Sequence, residues 1–206
     1  MASAPSDTPT VPRTPAVPRP VQLKIVIAGP FGVGKTTLVG VASETAALTT
    51  EETLTQAGAV VDDLTGVRSK TTTTVGIDFG RLTLRAADPA HPGVVLFLIG
   101  APGQARFRAL WDELTYGALG VLVLADTRRF DASFDVLDLV EVRGLPYAVA
   151  VNQFDDSPIH TPAELRSALD LADRTPLTTL DARDRASTRD ALITLVEHIK
   201  EQVLSS

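Results

Sequence analysis

The chain has 206 residues, 44% of them hydrophobic and 21% charged, with a formal net charge of −6 at pH 7. That length allows one domain with a full core, and the acidic balance provides no basic footprint for nucleic acid or an anionic membrane surface. The absence of cysteine excludes disulfides, thiolate metal sites, a cysteine nucleophile and lipidation on cysteine.

The longest apolar runs, Val94–Ile99 and Ala118–Ala125, fall short of the ~18 residues that span a bilayer. With no signal-peptide core either, the expectation is a cytoplasmic protein without membrane insertion. Residues 1–20 set Pro5, Pro9, Pro12, Pro15, Pro18 and Pro20 among Ser, Thr and Ala. Such a segment builds no core, so a disordered tail is expected ahead of a single domain over 21–206. Val21–Ala28 reads as a strand, β-branched and mostly apolar. Directly after it, Gly29-Pro30-Phe31-Gly32-Val33-Gly34-Lys35-Thr36 fits the pattern G-x-x-x-x-G-K-[ST]. Thr36–Ala47 then reads as a helix with Leu38, Val41, Ala42 and Thr45 on one face. Strand, glycine loop and helix in that order make an anion cradle. Backbone N–H groups from Gly29 and Phe31 through Thr37 converge on phosphate, reinforced by the helix dipole. Lys35 is expected to reach the outer phosphates and the Thr36 hydroxyl to ligate Mg²⁺. The chain therefore binds a nucleoside phosphate.

Leu48–Thr73 is a long, Thr-rich connection with the acidic pairs Glu51-Glu52 and Asp62-Asp63; a connection of that length is expected to be functional or mobile, with or without a short helix. Val75–Arg85 alternates as a strand, Asp88–Gly93 is a turn, and Val94–Ile99 is a second strand of the same hairpin. Gly100, Pro102 and Gly103 break it, and a helix follows over Gln104–Tyr116. Strands at Val121–Ala125, Tyr147–Val151 and Leu177–Leu180 alternate with helices at Ala132–Val142, from Thr161, and at Ala186–Leu204. At Thr161-Pro162-Ala163-Glu164 the cap, the proline and the acidic first turn mark a helix start. The pattern predicts an α/β fold of the P-loop NTPase type. Its sheet has six mostly parallel strands, one of them antiparallel, with helices on both faces.

With these elements in order, residues 21–204 resemble the Ras-like small GTPases. Thr74–Phe79 looks like their first switch, and the resemblance implies that Thr74 meets Mg²⁺ and the γ-phosphate. Gly100–Phe107 looks like the second switch, in which the Gly103 N–H would bond the γ-phosphate and Gln104 would orient the attacking water. Asn152-Gln153-Phe154-Asp155 stands where the family's base-recognition motif belongs. There the Asp155 carboxylate can accept two hydrogen bonds from guanine, a pattern adenine does not offer. Asp181-Ala182-Arg183 occupies the place of the loop whose alanine N–H bonds the guanine oxygen. The implied ligands are GTP or GDP with Mg²⁺. Phe97–Gln104 and Asp181–Asp184 together are similar to the conservon GTPases of actinobacteria. That similarity implies a roadblock-type regulator and a histidine-kinase-like membrane protein as partners, and peripheral placement at a membrane through them.

Three positions depart from the family pattern. Gly100 stands where the family has an aspartate that steadies Mg²⁺ through water; Gln153 replaces the lysine whose stem packs on the base; Phe31 fills a loop position that is commonly glycine. Two readings stay open. One is a guanine-nucleotide switch with slow GTP hydrolysis. The other is a nucleotide-bound interaction module with negligible turnover, which Gly100 favours. A P-loop kinase would need a lid and an acceptor site, and neither is evident. His91, His160 and His198 are scattered and read as surface residues. Trp111 reads equally as core or partner surface. Phe79, Ile99 and Leu114 form either an apolar patch between the switches or part of the core. Arg106, Arg108, Arg128 and Arg129 are candidates for an arginine reaching the γ-phosphate, or simply solvated.

Overall fold

The structure, a computed structural model, describes residues 18–55, 72–88, 90–103 and 110–205, without the side chains of 50–55 and 72–75. Most of the expected 1–20 tail lies outside the described residues, and 18–20 carry no regular structure. The strands are β1 (Val21–Ala28), β2 (Leu48–Thr55), β3 (Thr72–Leu84), β4 (Val94–Gly100), β5 (Gly120–Ala125), β6 (Tyr147–Asn152) and β7 (Leu177–Leu180). The helices are α1 (Lys35–Ala42), α2 (Trp111–Thr115), α3 (Asp131–Val142), α4 (Pro162–Ala168) and α5 (Arg185–Leu204). One sheet of seven strands runs β2-β3-β4-β1-β5-β6-β7. β3 is antiparallel to both of its neighbours, and every other pairing is parallel.

The expected α/β fold is therefore present with one strand more than the six read from the sequence. The extra strand is β2, inside the segment read as a connection, and residues 56–71 of that segment lie outside the described residues. The first helix ends at Ala42 instead of Ala47. The cause is tertiary: Ser43 Oγ accepts the Arg81 N–H at 3.1 Å and the Glu44 N–H donates to the Arg81 carbonyl at 2.7 Å. These bonds draw the chain onto β3 before the helix can continue, and side-chain capture of backbone at a serine competes with helix in this way. Of the helix expected over Gln104–Tyr116, α2 forms the last turn, and 104–109 lie outside the described residues. α4 begins as its sequence predicts. Thr161 Oγ1 accepts the Glu164 N–H while Glu164 Oε2 accepts the Thr161 N–H, and Pro162 takes the first helical position.

Strand alternation divides the core in two. Ile25, Ile27, Leu96, Leu98, Leu122 and Leu124 face α1 and α5, where Leu38, Val39, Leu192 and Leu195 close the layer. Val26, Val121, Val123, Val149 and Val151 face the other helices, with Trp111, Leu114, Val136, Leu137 and Leu165. Trp111 is thus core, not partner surface, and Leu114 is core too. Of the patch Phe79–Ile99–Leu114, Phe79 alone is exposed, and Ile99, its cross-strand partner, packs on the core. No helix among the described residues is long and apolar enough to cross a membrane.

The chain order around β1 positions the site. β4 flanks β1 on one side and β5 on the other, so the strand order reverses there. Ligands of open parallel sheets bind at the carboxyl ends of the strands at such a point.

Candidate functional site

The loops that leave β1, β4, β6 and β7 at their carboxyl ends carry most of the site residues expected from the sequence. Gly29–Gly34 follow β1, Gly103 follows β4, Gln153 and Asp155 follow β6, whose last residue is Asn152, and Asp181–Arg183 follow β7. Their clustering is a consequence of the topology.

The phosphate loop is closed by glycines where nothing else fits. Gly34 has φ +104°, and a Cβ there would lie 2.7 Å from Asn152 Nδ2. A Cβ on Gly103 would lie 2.5 Å from the Gly29 carbonyl oxygen and 2.7 Å from Lys35 Nζ. The backbone after β4 thus runs against the loop after β1. Lys35 Nζ donates to the carbonyls of Gly29 and Pro30, both at 2.8 Å. Burial pushes the ammonium pKa down to about 8, against the opposing pull of Asp78. Val33 is buried, whereas Phe31, Gly32, Thr36 and Thr37 are exposed, so the mouth of the cradle is open.

Asp78 is the residue that the motif reading missed. Its carboxylate is buried at 7% exposure. It accepts the Thr36 hydroxyl at 2.6 Å and the Thr49 hydroxyl at 2.9 Å. It stands directly across the β3–β4 pair from Gly100, and a Cβ on Gly100 would lie 3.1 Å from both Asp78 Cβ and Asp78 Oδ2. The Asp78 carboxylate therefore fills the space that a side chain at position 100 would need. A signal for this was in the sequence. Leu84 pairs with Val94 at the hairpin turn, and six residues back along each strand lead to Asp78 and Gly100.

Those groups match the needs of Mg²⁺, which takes one or two carboxylates and hydroxyls, completing its shell with water and phosphate oxygens instead of an all-protein cage. Thr36 Oγ1 and the Asp78 carboxylate are such a donor set. No group of three or more His, Asp or Glu residues suited to a metal occurs among the described residues. The side chain of Thr74 and all of Gln104 lie outside the described residues, as do Arg106 and Arg108. The Thr74 backbone is in β3, opposite Thr53.

On the base side, Asn152 is buried and tied at both ends. Its Nδ2 donates to the Val33 carbonyl and its Oδ1 accepts the Ala182 N–H, each at 2.9 Å. It locks the phosphate loop to the loop after β7. The Ala182 N–H, expected on a guanine oxygen, is engaged by Asn152 in this arrangement. Gln153 is half-buried and its backbone N–H donates to the Leu180 carbonyl at 2.7 Å. Asp155 projects into solvent and is gripped by Arg183, whose Nη2 lies 2.9 Å from Oδ1 and Nη1 3.3 Å from Oδ2. Those hydrogen bonds and the guanidinium charge hold the Asp155 carboxyl below its ordinary range.

After β5, the fully buried Asp126 carboxylate binds Arg128 through Nε at 2.9 Å and Nη2 at 2.8 Å. The Arg128 guanidinium covers the Phe154 ring at 3.7 Å and reaches Asp156. Arg128 is therefore fixed away from the cradle. Arg129 instead donates to the Phe31 carbonyl of the phosphate loop at 3.0 Å.

A family model described as conserved hypothetical ATP binding protein matches residues 27–202. No curated protein matches the chain.

Proposed function

The chain belongs to the family of conserved hypothetical ATP-binding proteins; from the nucleotide site that this supports, and on the chemistry of Asp155 against the adenine of that description, we propose that it is a guanine-nucleotide switch of the Ras-like type. It binds GTP and GDP with Mg²⁺ and hydrolyses GTP slowly. The observation that carries the reading is the joint placement of two carboxylates, Asp78 on the Thr36 hydroxyl and Asp155 on the loop beyond Asn152. Lys35 and the loop N–H groups hold the phosphates. Asp155 accepts the N1–H and N2–H of guanine, which adenine, with an acceptor at N1, does not offer. Thr36 and Asp78 would hold Mg²⁺, and the ion would neutralise charge on the phosphate oxygens. Gln104 orients water toward the γ-phosphorus. GTP orders the segments around Thr74 and Gly103, and hydrolysis releases them. By the similarity to conservon GTPases, the partners are a roadblock-type protein and a histidine-kinase-like membrane protein.

The second reading, a binding module with negligible turnover, was favoured by the missing carboxylate at Gly100; the position of Asp78 weakens that argument. A single-turnover GTP assay with and without excess Mg²⁺, on wild type and Gln104→Ala, separates the two. The switch reading expects Mg²⁺-dependent hydrolysis well below ~10 s⁻¹, slower still in the variant. No hydrolysis in either protein leaves the binding module.

A further inference from the structure

Arg183 is held between two carboxylates. Its Nε and Nη2 lie 2.9 Å from Asp181 Oδ1 and Oδ2, while the Nη1–Nη2 edge faces Asp155. The backbone N–H of Arg183 also donates to Asp181 Oδ1 at 2.8 Å, so the root of the side chain is anchored to Asp181 whatever its tip does. Arg183 and Asp155 are both largely exposed, so a ligand reaches the pair from solvent.

The edge that Arg183 turns to Asp155 is a pair of parallel N–H donors on a planar cation. The N1–H and N2–H of guanine are also a planar pair of parallel donors. A carboxylate takes such a fork on its two oxygens in one plane, so the guanidinium and guanine compete for the same face of Asp155. Adenine does not compete. With Arg183 in place the charge of Asp155 is compensated, and the lone pair at adenine N1 meets a neutralised carboxylate.

We propose that Arg183 determines base specificity by occupying Asp155 as an internal stand-in for guanine. The incoming guanine displaces it onto Asp181, and its presence narrows the margin between guanine and adenine. The proposal rests on the assignment of Asp155 as the guanine acceptor. Three consequences follow. Removing the guanidinium raises guanine affinity and widens the guanine–adenine ratio. Removing the charge of Asp181 takes away the place to which Arg183 retreats, and lowers guanine affinity. Salt screens the exposed pair, so the advantage of the variant over wild type shrinks as ionic strength rises.

The test is calorimetric titration of GDP and ADP into the full chain, as wild type, Arg183→Ala, Arg183→Lys, Asp181→Asn and Asp155→Asn, at low and high salt. Comparing each variant with wild type at the same salt cancels the phosphate contribution. Arg183→Ala is expected to bind GDP about two- to fivefold more tightly, the range an exposed ion pair supports, with ADP unchanged or weaker. Arg183→Lys, which keeps the charge and loses the fork, falls between, and Asp181→Asn binds GDP more weakly than wild type. Weaker GDP binding by Arg183→Ala, or a change in GDP and ADP affinity by the same factor, overturns the proposal while a guanine preference lost in Asp155→Asn leaves the base assignment standing. If wild type shows no guanine preference and Asp155→Asn changes nothing, the base assignment falls and this proposal with it.

Discussion

Exchanging the carboxylate between strands probes the metal side of the site. Asp78→Asn keeps the shape and removes the charge, and loss of a group that supports a metal ligand lowers metal affinity about 10–100-fold. Gly100→Asp alone adds a second carboxylate on a Cβ that would lie 3.1 Å from Asp78 Oδ2. Two like charges about 4 Å apart repel by ~4 kcal/mol at an effective dielectric of ~20. Gly100→Asp should therefore lose roughly 1–4 kcal/mol of stability, part of the repulsion being relieved by rotation or protonation. The double variant Asp78→Gly with Gly100→Asp carries one carboxylate again, on the other strand of the same directly opposed pair. It should regain most of the stability and at least tenfold of the lost Mg²⁺ affinity, a strongly non-additive outcome of the kind that contacting residues give. The assay is a Mg²⁺ titration of protein loaded with fluorescent GDP, alongside urea melts. If Asp78→Asn leaves the Mg²⁺ dependence of GDP binding unchanged, or the double variant binds Mg²⁺ no better than Asp78→Gly alone, the relocated carboxylate is refuted.

Three further outcomes follow. The free protein holds Lys35 at a pKa of about 8 because it is desolvated, whereas bound phosphate keeps it charged. Below pH 8 the lysine is already protonated; above it binding must take up a proton, so GDP affinity should fall about tenfold between pH 7 and pH 9, and a pH-independent affinity contradicts this. Asn152→Ala leaves the Val33 carbonyl and the Ala182 N–H unpaired; at about 1–3 kcal/mol per buried unsatisfied group, a drop in urea midpoint and faster GDP release are expected. Asp155→Asn should shift preference from GTP toward XTP in a competition assay, because an amide can donate to the extra oxygen of xanthine.

Local signals carried most of the fold. The β1–loop–α1 unit, the capping box at Thr161 and the runs at β5, β6 and β7 are written in a few consecutive residues each, and the structure places them within a residue or two of their expected bounds at most ends. β2 was hidden because Leu48–Thr55 is polar and acidic, as suits an edge strand, and only its pairing with β3 makes it a strand. The early end of α1 was hidden for the same reason, since the competing bonds come from Arg81, far along the chain. The linear motifs picked out residues that the fold gathers at the carboxyl ends of the strands. Asp78 escaped because its place opposite Gly100 depends on the register of the hairpin, and a motif read along one strand does not see across to the next.

Titration of GDP, GTP, ADP and ATP into the purified full chain, with and without millimolar Mg²⁺, tests the central claim most directly. Guanine nucleotides should bind, more tightly than their adenine counterparts and more tightly with Mg²⁺. Equal or tighter binding of ADP and ATP would contradict the role given to Asp155, and no measurable affinity for any of the four would contradict the site itself.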